Sequence, residues 1–115
     1  MNSNFELIEK DVNGIKVIKI TGELDAMVAP KLKERLAKLV ENETYNFVIN
    51  CEELSHINSL AMGILRGKLR EVKGHDGDIK LSNLNEHIKT IFEMVGLDEI
   101  FEICATEEEA IAKFN

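Results

Sequence analysis

Ser59 is the side chain around which chemistry could be organised. It follows a loop over Glu52 to His56 and opens an apolar run that reads as a helix. Its hydroxyl therefore stands at a helix N-terminus, where unpaired N–H groups and a partial positive charge gather. A serine there can act as a cap, accepting a backbone N–H and contributing about 1 kcal/mol. It can also accept a phosphoryl group, adding about −1.5 to −2 charges without unravelling the helix. Asn58 is an alternative cap, and in that case the Ser59 hydroxyl is free.

Catalytic patterns are missing. His56, His75 and His87 stand at unrelated spacings in loops or at helix ends, unlike metal-site spacings, and read as surface residues. A Ser59, His87 and Asp25 triad can be drawn, but no G-x-S-x-G elbow surrounds Ser59. Cys51 and Cys104 are isolated in apolar surroundings and read as reduced core residues. There is no P-loop or dinucleotide fingerprint. Gly63 and Gly67 fall inside a helical stretch and are expected to let it pack closely on a sheet, at a propensity cost of about 1 kcal/mol each. The chain reads as a non-enzyme without cofactor or metal.

The 115 residues suit one domain over 1–115, with 44% hydrophobic residues to form its core. No apolar run approaches the ~20 residues of a membrane span. Met1-Asn2-Ser3-Asn4 lacks the pattern of a secretory leader, so a cytoplasmic location is expected. The net charge is −7, from 21 acidic and 14 basic residues, which argues against direct binding of nucleic acid. The densest basic stretch, Arg66-Gly67-Lys68-Leu69-Arg70 with Lys73, reads as a solvated helix face. Protein partners remain the better match.

The elements that must position Ser59 follow from periodicity. Phe5 to Glu9 and Ile15 to Thr21 read as strands joined by an Asn13-Gly14 hairpin turn. Gly22 is expected to give a sharp exit from the second strand. A helix over about Ala29–Val40 starts at Pro30 and carries Leu32, Leu36, Leu39 and Val40 on one stripe. Phe47 to Cys51 reads as a strand buried on both faces. The helix over about Ser59–Lys73 buries Met62, Leu65, Leu69 and Val72, which leaves Leu60 partly exposed. A strand at Ile79 to Ser82, a helix over Asn85–Val95 stopped by Gly96, a strand at Ile100 to Ile103 and a final helix from Thr106 complete the chain. Phe92, Met94 and Phe101 are expected in the core. A hairpin followed by alternating helices and strands predicts an α/β sheet, parallel in part with an antiparallel edge.

Three stretches together resemble the STAS-domain anti-sigma factor antagonists of bacteria. They are Thr21-Gly22-Glu23-Leu24-Asp25, Leu54 through Leu65, and Ile91 through Phe101 with Glu109-Ala110 beyond. The resemblance covers nearly the whole chain. It implies a single-domain STAS fold: a mixed sheet of four to five strands with an N-terminal hairpin and packed α-helices. The family's phosphorylation motif, Asp-Ser-Ser/Ala/Thr-Gly-Leu-Gly, falls on Asn58, Ser59, Leu60, Ala61, Met62 and Gly63. Ser59 takes the acceptor position; Asn58 and Leu60 depart from the motif.

The resemblance further implies a switch. The unphosphorylated protein binds an anti-sigma factor, a GHKL-type serine kinase, and frees a sigma factor; phosphorylation of Ser59 ends the association. The expected docking surface is Glu23, Asp25, Ala26, Asn58, Leu60, Ala61, Met62 and Ile64. Nucleotide and magnesium belong to the kinase, and the chain is expected to be a monomer or weak dimer without membrane insertion. Asn58 and Leu60 favour a second reading, a non-switching STAS module serving as a signalling scaffold or as a cytosolic accessory subunit of a membrane transporter.

Overall fold

The computed structural model describes residues 5–114. Met1–Asn4, read above for a leader, lie outside the described residues.

Strands β1 (Glu6–Val12) and β2 (Ile15–Leu24) form an antiparallel hairpin. Asn13 and Gly14, both at positive φ (53° and 83°), close it with Val12 opposite Ile15. That pair of φ values suits a two-residue turn matched to strand twist. β3 (Asn46–Asn50), β5 (Asp78–Ser82) and β6 (Glu102–Cys104) extend the sheet in parallel, in the order β1-β2-β3-β5-β6. β4 (Leu54–Ile57) pairs in parallel with the far end of β2. The sheet therefore has six strands rather than four or five. The extra strand lies in a segment read from sequence as a loop. Its four residues, Leu-Ser-His-Ile, are too few to show a period, and only the overhang of β2 beyond β3 gives them a partner.

α1 (Ala29–Glu41), α2 (Ser59–Lys73) and α3 (Glu86–Met94) pack with one face of the sheet. Strand alternation explains which residues meet them: Ile18 and Ile20, Phe47 and Ile49, Ile79 and Leu81 point to the helices. The opposite residues Ile15, Val17 and Val48 pack with Cys104 and Ala110, near α4 (Glu107–Ala112). β3 is thus buried on both faces as its composition predicts. On the α4 side Lys80 is buried between Asp78 (2.8 Å) and Glu102 (3.3 Å), beneath the Phe114 ring. Burial pulls its pKa down, but the hydrogen bonds and charges of the two carboxylates outweigh this and raise it above the ordinary lysine value.

Several expectations need correction. Gly22 does not end β2; it sits within it at φ 98°, where the register with β4 shifts. Met94 is 80% exposed and Val95 is exposed, because α3 stops at Met94 and Gly96 (φ 78°) turns the chain away. Ile100 is also exposed, following a 3-10 turn at Leu97–Glu99, so the last strand begins two residues later than the apolar run suggests. Phe92 and Phe101 are in the core as expected. Cys51 and Cys104 are buried and free, and burial pushes the Cys51 thiol up to about 12.

Candidate functional site

The site is built where β2 and β4 end side by side. Leu24 is paired with Ile57, and the Asn58 N–H donates to the Leu24 carbonyl at 3.0 Å. The entrance turn of α1 and the first turn of α2 are therefore held together by backbone. Asp25 shapes the α1 entrance: its Oδ1 accepts from the N–H groups of Met27 (3.0 Å) and Val28 (3.2 Å), while its carbonyl accepts from Ala29 (3.0 Å). Such an Asx turn fixes the backbone and pushes the intervening side chains outward. Ala26 is exposed and Met27 is 86% exposed at its tip. Glu23 is exposed beside them.

Asn58 is the N-cap of α2. Its backbone is extended and its side chain accepts from the Ala61 N–H at 2.9 Å. Ser59 is thereby relieved of the capping role. It is exposed at the first helical position, and its hydroxyl has no hydrogen-bond partner among the described residues. Leu60 follows at 50% exposure. Ile64, one turn on, is half-buried and packs at the margin of the core. Ala61 and Met62 do not join this surface: they are 0% and 8% exposed and face the sheet. The reason is helical geometry, since Ala61, Met62, Leu65, Leu69 and Val72 share the inward stripe.

Gly63 and Gly67 also differ from expectation. Both are exposed, and a Cβ at either would meet nothing within 4 Å. They are not needed for packing against the sheet. Instead, with Ser59, Leu60 and Ile64, they line a shallow groove of about 530 Å³ along the outside of α2, bounded by Lys33 of α1.

Two further features escaped the sequence reading. Met27 is the most exposed large apolar side chain at the site; an apolar residue two places after Asp25 and just before Pro30 was the available signal. His56 and His87, 31 residues apart, place Nδ1 and Nε2 within 3.1 Å of each other. Nothing local announces that pairing. It arises because Asn85 caps α3 at Ile88 N–H (2.8 Å) and also donates to the Leu54 carbonyl (3.0 Å), docking α3 on β4. His87 thus faces His56, and the Asp25 carboxylate is held by backbone N–H groups, so the triad drawn with Ser59 is not assembled. No group of three or more His, Cys, Asp or Glu among the described residues is arranged to hold a metal ion. No described helix is long and apolar enough to cross a membrane. What the arrangement offers is a surface: an unengaged hydroxyl next to exposed Leu60, on a helix start joined by backbone to the turn that carries exposed Met27.

Known proteins share this frame. The STAS domain family matches residues 7–110. The anti-sigma-B factor antagonist of Bacillus subtilis (strain 168) is 33% identical over 111 residues, covering 96% of this chain and 99% of its own. The anti-sigma factor antagonist SpoIIAA in its unphosphorylated form superposes with a TM-score of 0.83 at 28% identity, covering 96% and 95%. The phosphorylated form of the Bacillus cell fate determinant SpoIIAA gives a TM-score of 0.75 at 28% identity, covering 96% and 99%.

Proposed function

The chain belongs to the STAS domain family of anti-sigma factor antagonists, and from that premise we propose a phosphorylation-controlled docking protein. Its unphosphorylated form binds an anti-sigma factor and so releases a sigma factor. The anti-sigma factor acts as a GHKL-type serine kinase on Ser59, and the phosphoryl group ends the association. The observation that carries this reading is that Asn58 caps α2, which leaves the Ser59 hydroxyl exposed and unengaged beside Leu60.

The physical steps are short. Exposed Met27 and Leu60 supply apolar area, and Glu23 and Asp25 supply charge at its rim. A partner that covers them also covers Ser59. A phosphoryl group there leaves the α2 cap intact, since the cap is the neighbouring side chain. The helix dipole favours the added charge, so the fold persists. Docking does not persist, because burying a doubly charged group without a matching cation costs several kcal/mol, and about 1.4 kcal/mol is tenfold in affinity. Asn58 in place of an acid removes one repulsion toward that phosphate.

The test is the affinity of the chain and two variants for the anti-sigma factor of its host. Ser59→Ala is expected to bind as the parent does. Ser59→Asp is expected to bind about a hundredfold more weakly. Equal binding by Ser59→Asp would end the switch reading while leaving the docking reading open to Met27 and Leu60 substitutions.

A further inference from the structure

A second surface lies further along α2 from Ser59. Arg66, Leu69, Arg70 and Lys73 of α2 line a groove closed on its other side by Ile100. No carboxylate lines it. Arg66 and Arg70, one helical turn apart, form no ion pair among the described residues, whereas the third arginine, Arg35, is bound to Glu9. Glu71 is held by Lys68 at 2.8 Å and Asp78 is shared between Lys80 and Lys73, while Asp98 and Glu99, just before Ile100, are exposed and make no ion pair with either arginine. The far rim of the groove is apolar, with Ile100 44% exposed; the exposed Met94 and Val95 precede it in the chain and do not line the groove.

Two free guanidinium groups on a chain of net charge −7 are a local reversal of sign. Arginine is the residue whose planar fork matches a carboxylate at both oxygens. The apolar rim is unsuited to a phosphate backbone, and the net charge opposes one. We propose that this groove docks an acidic segment of a protein partner, with glutamate or aspartate side chains on Arg66 and Arg70 and an apolar side chain against Ile100. Arg66 and Arg70 stand roughly 10 Å and 16 Å along the helix axis from Ser59, at about 1.5 Å per residue. The contact uses none of the docking-edge residues and does not depend on the Ser59 reading.

The experiment is a titration of the isotope-labelled full chain with a synthetic peptide of repeating Glu-Glu-Leu, followed by amide chemical shifts. Shifts are expected to cluster at Arg66, Leu69, Arg70, Lys73 and Ile100. The Arg66→Glu/Arg70→Glu variant, checked for an unchanged melting curve, is expected to bind at least about tenfold more weakly. Shifts spread equally over Lys31, Lys33 and Lys38, or binding that survives the charge reversal, would overturn the proposal. So would equal binding of an all-glutamate peptide, which would make the apolar rim irrelevant, or tighter binding of oligothymidylate.

Discussion

The Asn58 N–H donates to the Leu24 carbonyl at 3.0 Å, and this bond joins two segments 34 positions apart into one surface. On one side it fixes the turn that carries Met27; on the other it sets the angle at which α2 begins and Ser59 emerges. Neither segment reaches this geometry alone, because each enters a helix from a strand whose end is set by the other.

Capping falls to Asn58 and leaves the neighbouring Ser59 hydroxyl for the proposed phosphate acceptance, and substitution separates the two roles. Asn58→Ala is expected to cost about 1 kcal/mol of stability through loss of the bond to Ala61. Asn58→Asp keeps that bond and adds a negative charge at the positive end of α2, for a gain of about 0.3–1 kcal/mol. Urea denaturation of the two variants measures both signs.

The glycines of α2 are expected to behave oppositely to Gly77. A Cβ at Gly63 or Gly67 meets nothing, so Gly63→Ala and Gly67→Ala should each stabilise by about 1 kcal/mol. A Cβ at Gly77 would lie 2.0 Å from the Tyr45 carbonyl oxygen, which accepts from Asp78 N–H, so Gly77→Ala must displace the start of β5. Midpoints of urea unfolding should move up for the first two and down for the third.

Met27 and Leu60 contribute little to folding, since their side chains stand largely in water. Met27→Asp and Leu60→Asp are expected to change stability by less than about 0.5 kcal/mol. Each should weaken binding to the anti-sigma factor by about tenfold or more. Calorimetry of unfolding and of binding on the same samples separates the two effects.

Glu9 provides a pH signature. Arg35 of α1 reaches across to it, with Nη2 at 2.7 Å from Oε1, and this hydrogen bond holds the Glu9 carboxyl below its ordinary 4.5 despite partial burial. A carboxyl lowered in the folded state binds its proton more readily when unfolded. Its stabilisation is therefore complete above the ordinary value and is lost as pH falls from there through the lowered folded value. The stability difference between parent and Glu9→Gln should be constant above about pH 5 and shrink below it. Urea unfolding at a series of pH values measures this.

Much of the fold was legible because its signals are local. Asn13-Gly14 sets the hairpin, Pro30 starts α1, Gly96 ends α3, and strand composition marks β3 as a central strand. Ser59 was legible in the same way, as a hydroxyl at a helix start. What escaped were short elements and contacts between distant segments. β4 has four residues and exists through its partner β2. His56 and His87 meet only because α3 docks on β4. Met94 and Val95 carry apolar side chains yet face water, because the helix ends before another turn could bring them inward.

By itself the amino-acid sequence determined the order of the longer elements, the inward stripe of α1 and α2 and the place of the Ser59 hydroxyl at a helix start. These depend on backbone preference and hydrophobic period, which act within a few residues. The tertiary structure decided which neighbour caps α2, that Ala61 joins the buried stripe while Met27 stands outward, and that Arg66 and Arg70 form no ion pair among the described residues. Those outcomes depend on where separate segments come to lie against one another, and burial and charge pairing are properties of that arrangement rather than of any one stretch of chain.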